Sequence, residues 1–110
     1  MPHVAAFFRG ISLTIAVNLD QPTSSDRLKQ LFRQYYAGED MVRVSGDIPE
    51  VRDVQGKPGV HIGGFSVDGR DPTRASFVVV LDNLLKGAAS QAMQNLNLAL
   101  GLPENSGIQL

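Results

Sequence analysis

Residues 78–101 read VVVLDNLLKGAASQAMQNLNLALG, and the rest of the chain is organised around this stretch. It completes an apolar run from Phe77 to Leu81, which predicts a buried β-strand because β-branched residues bounded by turn residues favour one. After Asp82-Asn83, apolar residues recur at spacings of three and four and predict a helix that ends near Gly101. A strand, a polar turn and a helix in this order often hold ligand contacts in α/β folds.

The segments that precede this stretch predict further strands. Ile11 to Leu19 alternates apolar with small or polar residues at period two, which is typical of a strand with one buried face. The segments 60–67 and 74–81 flank a turn at Gly69 to Pro72 and predict an antiparallel hairpin. Gly63-Gly64 interrupts the first of these strands and predicts a bulge or a close approach of another backbone.

The remaining segments complete the predicted fold. Residues 28–36 carry the apolar stripe of an amphipathic helix, which Gly38 ends. Residues 41–45 predict a short strand, and 46–59, rich in Gly, Pro and Asp, predict an irregular connection. Because the strands are joined mostly by short turns, we predict an α+β domain with an antiparallel or mixed sheet and helices on one face.

Composition excludes several classes of protein. A chain of 110 residues suits one small domain, and its net charge of -1 gives no basic surface for nucleic acid. No apolar run approaches the roughly 20 residues of a membrane span. There is no cysteine, so the chain has no disulfide, no thiolate ligand and no cysteine nucleophile. We therefore expect neither a nucleic acid nor a membrane among its partners.

The residues alone predict no complete active site. No G-x-G-x-x-G phosphate loop is present, and two distant histidines predict no metal site. The cluster Asp82-Asn83 with Lys86 suits either ligand contacts or a simple helix cap. Taken singly, His3 and His61 are more typical of packed or surface histidines, and an arginine beside a glycine suits either a solvated position or an anion clamp.

Four segments nevertheless resemble one known family. The stretches MPHVAAFFRGI, YAGEDMVRV, GVHIGGF and DNLLKGAASQAMQNLNLALG are similar, in register, to the N-acetyl-gamma-glutamyl-phosphate reductases of arginine biosynthesis. The resemblance implies a C-terminal domain like that of glyceraldehyde-3-phosphate dehydrogenase, acting in substrate binding and dimerisation over residues 1–110. It implies an NADPH-dependent reduction of an acyl phosphate to a semialdehyde, through attack by a cysteine.

The resemblance also implies roles for particular residues. His3 matches the family's catalytic histidine, which assists the thiolate and moves a proton. Arg9 and Gly10 match the substrate-binding side of the cleft. The cofactor NADPH would be contacted by Asn83, Lys86 and Gly87, with Asn83 at the nicotinamide carboxamide. The helix predicted over 86–101 would pack on an upstream NADP-binding domain, and the assembly would be a homo-oligomer.

Departures from the family pattern leave alternatives open. The chain has neither the dinucleotide fingerprint nor the cysteine, so we expect it to be inactive alone. Ala6 and Phe8 differ from the commoner family residues and weaken the case for Arg9. One alternative is a non-catalytic oligomerisation module, and another is a reductase for the homologous aminoadipyl phosphate of lysine biosynthesis. We expect a cytoplasmic protein, or a mitochondrial-matrix one if it belongs to the fungal branch that the spelling PHVA favours.

Overall fold

A five-stranded mixed sheet forms the centre of the computed structural model, which describes residues 1–110. The strands are β1 (Pro2–His3), β2 (Ile11–Asn18), β3 (Val42–Val44), β4 (Val60–Val67) and β5 (Arg74–Leu81). They lie in the order β1-β2-β5-β4-β3, and every neighbouring pair is antiparallel except β3 and β4. The mixed sheet and the β4–β5 hairpin are therefore confirmed. The two-residue strand β1 is too short to give a sequence pattern and was not predicted.

Two α-helices accompany the sheet. They are α1 (Ser25–Tyr35) and α2 (Ser90–Ala99). The Ser24 side chain caps α1 by accepting a hydrogen bond from the Arg27 N–H at 3.2 Å. Neither helix has the length and apolarity needed to cross a membrane.

The helix predicted over 86–101 forms as two pieces. A π-helical segment, Leu85–Ala89, precedes α2, and the Gly87 N–H bonds to the Asp82 carbonyl five residues back at 3.0 Å. Gly87 suits this wide turn because a Cβ at that position would come within 3.2 Å of Leu81 Cδ1. The last residue of α2 is Ala99, and Gly101 follows with a φ of +69°, as expected for a glycine that ends a helix.

Aromatic rings join α1 to one face of the sheet. Phe32 of α1 lies with its ring centroid 4.9 Å from that of Phe77 and 5.2 Å from that of Phe65. Phe65 lies beside a register shift between Gly63 and Ser66, so the predicted bulge is confirmed. The apolar side of α1 therefore packs on the sheet of the same chain, as the sequence predicted.

The irregular segment between β3 and β4 lies over the opposite face of the sheet. A Cβ at Gly63 would lie 2.2 Å from the Asp47 carbonyl oxygen, so only glycine allows this approach. The segment contains one 3₁₀ turn, Val51–Asp53. His61 and Val80, which pair in register on this face, are both buried. His61 is therefore a core residue of the sheet, as one of its two sequence interpretations proposed.

Candidate active site

Antiparallel pairing of β2 with β5 assembles the candidate site where the start of β2 meets the end of β5. Ile11 at the start of β2 pairs with Leu81 at the end of β5. The residues just outside this pair, Arg9-Gly10 and Asp82-Asn83, therefore meet across the two strand ends. Residues about 70 positions apart in the sequence become hydrogen-bonded neighbours.

Asp82 lies at the centre of this group of strand-end residues, and it is fully buried. Arg9 binds both carboxylate oxygens, with Nη2 2.9 Å from Oδ1 and Nε 2.6 Å from Oδ2. The Gly56 N–H donates to Oδ2 at 2.8 Å, and the N–H groups of Leu84 and Leu85 donate to Oδ1 at 2.8 and 3.2 Å. The Asp82 carboxylate thereby connects three segments through hydrogen bonds: the loop before β2, the irregular segment and the π-helical segment.

These donors also determine the charge of Asp82. Burial by itself raises the pKa of the carboxyl, but the Arg9 guanidinium and three backbone N–H groups bring it down from 3.8 to about 2. Asp82 is therefore ionised at neutral pH, and its charge is matched by Arg9. The two bonds from the Leu84 and Leu85 N–H groups form a local turn at Asp82, ahead of the π-helical segment, whose N-cap residue is Leu84.

Asn83 is fixed beside Gly10. The Gly10 N–H donates to Asn83 Oδ1 at 2.7 Å, while Gln55 Nε2 donates to the Arg9 carbonyl at 2.7 Å. Gly10 has a φ of +119°, and a Cβ there would lie 2.3 Å from Val51 Cγ1, so no other residue fits. With Oδ1 engaged, the Asn83 side chain keeps its Nδ2 group as a donor without a partner in the chain.

His3 lies on the edge strand β1, away from this cluster. Its Nε2 is 2.7 Å from Thr14 Oγ1, and its side chain is exposed. One strand, β2, separates β1 from β5, so His3 is displaced by about two strand spacings, ~10 Å, from the β5 strand. The loop from Val4 to Gly10 runs between the two places, but no hydrogen bond joins the imidazole to Asn83 or Arg9.

Lys86 and Gly87 belong to the π-helical segment, one turn beyond Asn83. Lys86 Nζ donates to Gln94 Oε1 at 2.5 Å, and Gln94 Nε2 donates in turn to Glu104 Oε1 at 3.1 Å. Burial lowers the pKa of Lys86, against the opposing charge of Glu104. The structure thus joins Arg9, Gly10 and Asn83 directly, and it places Lys86 in a neighbouring network.

Sequence reasoning missed three residues of the site. Gln55 and Gly56 lie in an irregular segment whose sequence gave no sign of a site. Thr14, the partner of His3, was seen only as a polar position on a strand. Its distance from His3 in the sequence conceals that they are neighbours across β1 and β2.

The donor set fits only one end of a nicotinamide cofactor. The free Asn83 Nδ2 suits a carboxamide oxygen, and Lys86 offers a cation nearby that is already bonded to Gln94. No glycine-rich loop is present to hold the phosphates of a dinucleotide. The residues of this chain are therefore suited to contact the nicotinamide end, with the phosphates held elsewhere.

The fold, together with the residues that meet at the ends of β2 and β5, defines a C-terminal domain of the semialdehyde dehydrogenase type. The solved structure of aspartate semialdehyde dehydrogenase II complexed with ASA, from Vibrio cholerae, superimposes with a TM-score of 0.70 at 28% identity, over 86% of this chain and 28% of that one. The family model "semialdehyde dehydrogenase, dimerisation domain" matches residues 1–83. The chain belongs to this family.

Curated relatives carry more particular names. "Protein arg-6, mitochondrial" of Neurospora crassa is 50% identical over 98% of this chain and 12% of that protein. "N-acetyl-gamma-glutamyl-phosphate reductase" of Stenotrophomonas maltophilia is 47% identical over 98% of this chain and 34% of that protein. The resemblance to this reductase family is thereby confirmed. The chain spans about an eighth to a third of the length of these relatives.

Proposed function

We propose that this chain forms part of an NADPH-dependent reductase that converts N-acetylglutamyl 5-phosphate to N-acetylglutamate 5-semialdehyde in arginine biosynthesis. The names of the curated relatives support this substrate and this reaction. The observation that carries the proposal is the clamp at the strand ends, where Arg9 binds Asp82 and the Gly10 N–H binds Asn83. The clamp joins the loop that follows His3 to the residues proposed to contact the cofactor.

His3 is the proposed acid–base residue. Thr14 Oγ1 holds its Nε2, so Nδ1 is the ring nitrogen left to accept or release a proton at the reacting group. The chain has no cysteine, so the nucleophile must come from another part of the protein, and the chain alone is inactive under this proposal.

Arg9 and Gly10 are the proposed substrate side. Arg9 uses Nε and Nη2 on Asp82, and its side chain, which is 27% accessible, keeps Nη1 for the anionic groups of the acyl phosphate. The same ion pair fixes the direction of the guanidinium. Arg9 would therefore meet its substrate in a fixed geometry and not as a mobile surface charge.

Asn83, Lys86 and Gly87 are the proposed cofactor side. NADPH, when bound, supplies the hydride. Asn83 Nδ2 would donate to the carboxamide and set the orientation of the ring, because Gly10 already fixes the other end of that amide. Lys86 and Gly87, one turn further on, would line the same cleft.

The outward apolar side of α2 supports a further domain as a partner. Met93, Leu96 and Leu100 are exposed, and we propose that they pack on an upstream NADP-binding domain of the same protein. A homo-oligomer through the sheet is supported by the dimerisation-domain family. The mitochondrial names of the fungal relatives favour the matrix over the cytoplasm as the compartment.

The proposal is tested first at His3, in the natural full-length protein. We expect His3→Ala to lower kcat for NADPH oxidation with N-acetylglutamyl phosphate by roughly 10²–10⁴, with an unchanged circular dichroism spectrum. Thr14→Val keeps the imidazole and removes its partner, so it should lower kcat by less than His3→Ala does and not abolish turnover. Wild-type kcat in His3→Ala would refute the role.

A second test separates the cofactor role of Asn83 from its structural role. Asn83→Asp keeps an oxygen acceptor for the Gly10 N–H but loses the Nδ2 donor. We expect it to raise KM for NADPH more than KM for the acyl phosphate, with little loss of thermal stability. An unchanged KM for NADPH and unchanged kcat would remove Asn83 from the cofactor site.

The alternative of a non-catalytic oligomerisation module rests on the description of the matched family. The same assay decides between the two functions. Self-association in sedimentation experiments, with no NADPH oxidation by the full-length protein, would favour the module. Replacing the substrate by the aminoadipyl homologue tests the remaining alternative. The assay is needed because one methylene changes binding by only about 1–3 kcal/mol, so residue patterns do not separate the two substrates.

A further inference from the structure

A groove of about 200 Å³ lies between the β3–β4 pair and the irregular segment that covers it. At about 30 Å³ for each water molecule, its volume equals that of about seven waters, below the ~300–1,000 Å³ of sites for drug-sized ligands. Its charged lining consists of Asp40, Arg43, Asp53 and Lys57. A groove of this size suits a small metabolite and not a nucleotide.

His61 lines this groove and provides a polar group without a partner. The residue is only 6% exposed, and its buried Nδ1 has no hydrogen bond in the chain. Buried polar groups are nearly always hydrogen-bonded, so an orphaned ring nitrogen in the lining of a groove indicates a missing partner. Nε2, in contrast, is 2.7 Å from Ser45 Oγ.

The Ser45 hydroxyl determines which kind of partner Nδ1 needs. This hydroxyl has one proton, which it donates to the Asp47 carbonyl at 3.4 Å. We therefore assign the ring proton to Nε2, which donates to Ser45 Oγ, and Nδ1 becomes an unpaired acceptor. Burial and the nearby Arg43 lower the pKa of His61, so the ring is neutral at physiological pH. The missing partner is accordingly a donor, such as an ammonium group.

The charges of the groove offer binding for both signs. Arg43 makes no ion pair or hydrogen bond, and Lys57 Nζ has only the Asp53 carbonyl, at 2.8 Å. Asp53 uses Oδ2 to accept the Glu50 N–H, and Asp40 uses Oδ2 to accept Asn105 Nδ2. Each carboxylate thus keeps Oδ1 free, while the two cations keep free donors for an anion.

We propose that this groove binds the zwitterion of a small α-amino acid. Arg43 and Lys57 bind its carboxylate, and His61 Nδ1 with Asp53 accepts from its ammonium group. The buried Met41 and Val54, together with Val60, supply an apolar lining for a short side chain. Since β3 and β4 carry Arg43 and His61 as a register pair, the two ends of the site are set by the sheet itself.

Isothermal titration calorimetry on the natural full-length protein tests this, with L-alanine, acetate, methylammonium and inorganic phosphate as probes. We expect saturable binding of L-alanine at one site per chain, and at least about tenfold weaker binding of the other three, because acetate and phosphate lack the ammonium group and methylammonium lacks the carboxylate. Acetate or phosphate binding as tightly as L-alanine would show a plain anion site and overturn the proposal. No saturable L-alanine binding would also overturn it, and would leave an ordered water as the partner of Nδ1.

Matched variants locate the binding site. Arg43→Gln should weaken L-alanine binding by about tenfold, whereas Arg52→Gln, which removes an exposed cation from the covering segment outside the groove, should not change it. His61→Gln tests the acceptor and should weaken binding several-fold. If that variant fails to fold, the Arg43 and Arg52 pair still decides. Equal effects of the two arginine variants would contradict a site in this groove.

Discussion

The two α-helices bury opposite sides: α1 buries its apolar side, and α2 buries its polar side. In α1 the inward residues are apolar, Leu28 and Phe32, and they contact the aromatic face of the sheet. In α2 the buried residues are all polar, Ser90, Gln94 and Asn97. The apolar residues of α2 and its end are outside. They are Met93, Leu96, Leu98 and Leu100.

Hydrogen bonds connect the buried side of α2 to its neighbours, whereas apolar contacts connect α1 to the sheet. Asn97 Nδ2 donates to the carbonyls of Glu104 and Ser106 at 2.8 and 3.0 Å, which folds the C-terminal tail against the helix. Gln94 links Lys86 to Glu104 on the same side. The sheet with α1 therefore contains its own hydrophobic core, whereas α2 has an exposed apolar surface, which under our proposal is covered by a further domain of the same protein.

The largest effect should come from the aromatic core. Phe77→Ala removes a ring that contacts Phe32 and Phe65 and is 9% exposed, so we expect a loss of about 3–5 kcal/mol in the free energy of unfolding. Urea denaturation followed by circular dichroism measures it. Leu31→Ala, on the outer side of α1 and 59% exposed, is the control and should change stability by roughly 0.5 kcal/mol or less. Equal losses would show that α1 does not bury the side assigned here.

A smaller effect is expected at the polar side of α2. Asn97→Ala leaves two carbonyls of the tail without their donor, which should cost about 1–3 kcal/mol and expose the tail to limited proteolysis. Asn95→Ala is the matched control, because Asn95 is exposed and bonds only to Gln91 on the helix surface. Similar cleavage rates for both variants would mean that Asn97 does not hold the tail.

Acid should affect the two regions at different pH. Burial lowers the pKa of His61 in the folded sheet below its unfolded value of 6.5, so its contribution to stability is complete above pH 6.5 and falls as the pH decreases from there. Asp82, with a folded pKa of about 2 against 3.8, contributes fully above pH 3.8 and loses this only as the pH falls towards 2.

Each proton changes the free energy of unfolding by at most about 1.4 kcal/mol per pH unit. Denaturation curves between pH 7 and pH 2 should therefore show the histidine step first. His61→Gln should remove this step and leave the lower one unchanged. A step just below pH 6.5 that persists in His61→Gln would assign this step to another group.

The smallest effect should come from the outer side of α2. Leu96→Ser should alter the free energy of unfolding of the 110-residue chain by no more than about 0.5 kcal/mol, because this side chain is exposed in it. In the natural full-length protein the same change should lower the melting temperature measurably, if the proposed domain covers this side. A loss of 2 kcal/mol or more in the 110-residue chain would mean that Leu96 is buried within it.

The four strands from β2 to β5 and the helix α1 were predictable because their signals are local. The period-two pattern of β2, the hairpin turn before β5 and the apolar stripe of α1 each depend on neighbouring residues, and the structure confirms them. The π-helical start of the last helix was not predictable. It depends on how closely Gly87 approaches Leu81, which is a matter of packing and not of pattern.

The candidate site was predictable only in part. Asp82, Asn83 and Lys86 stood out after a strand, but the sequence left ligand contact and helix capping equally open. The partner of Asp82 is Arg9, 73 residues away, and sequence patterns contain no information on such a pairing. Gln55 and Gly56, which complete the cluster, come from a segment with no regular pattern at all.

The sequence by itself determined the four longer strands, the first helix, the absence of a cysteine and the resemblance to a reductase family, since each depends on residue types at short spacing. Only the tertiary structure decided that Arg9 binds Asp82, that Gly10 fixes Asn83, and that α2 buries its polar side. These depend on which strand ends meet in the sheet. The physical reason is that a periodic pattern specifies which side of an element is apolar, whereas long-range packing determines what each side contacts.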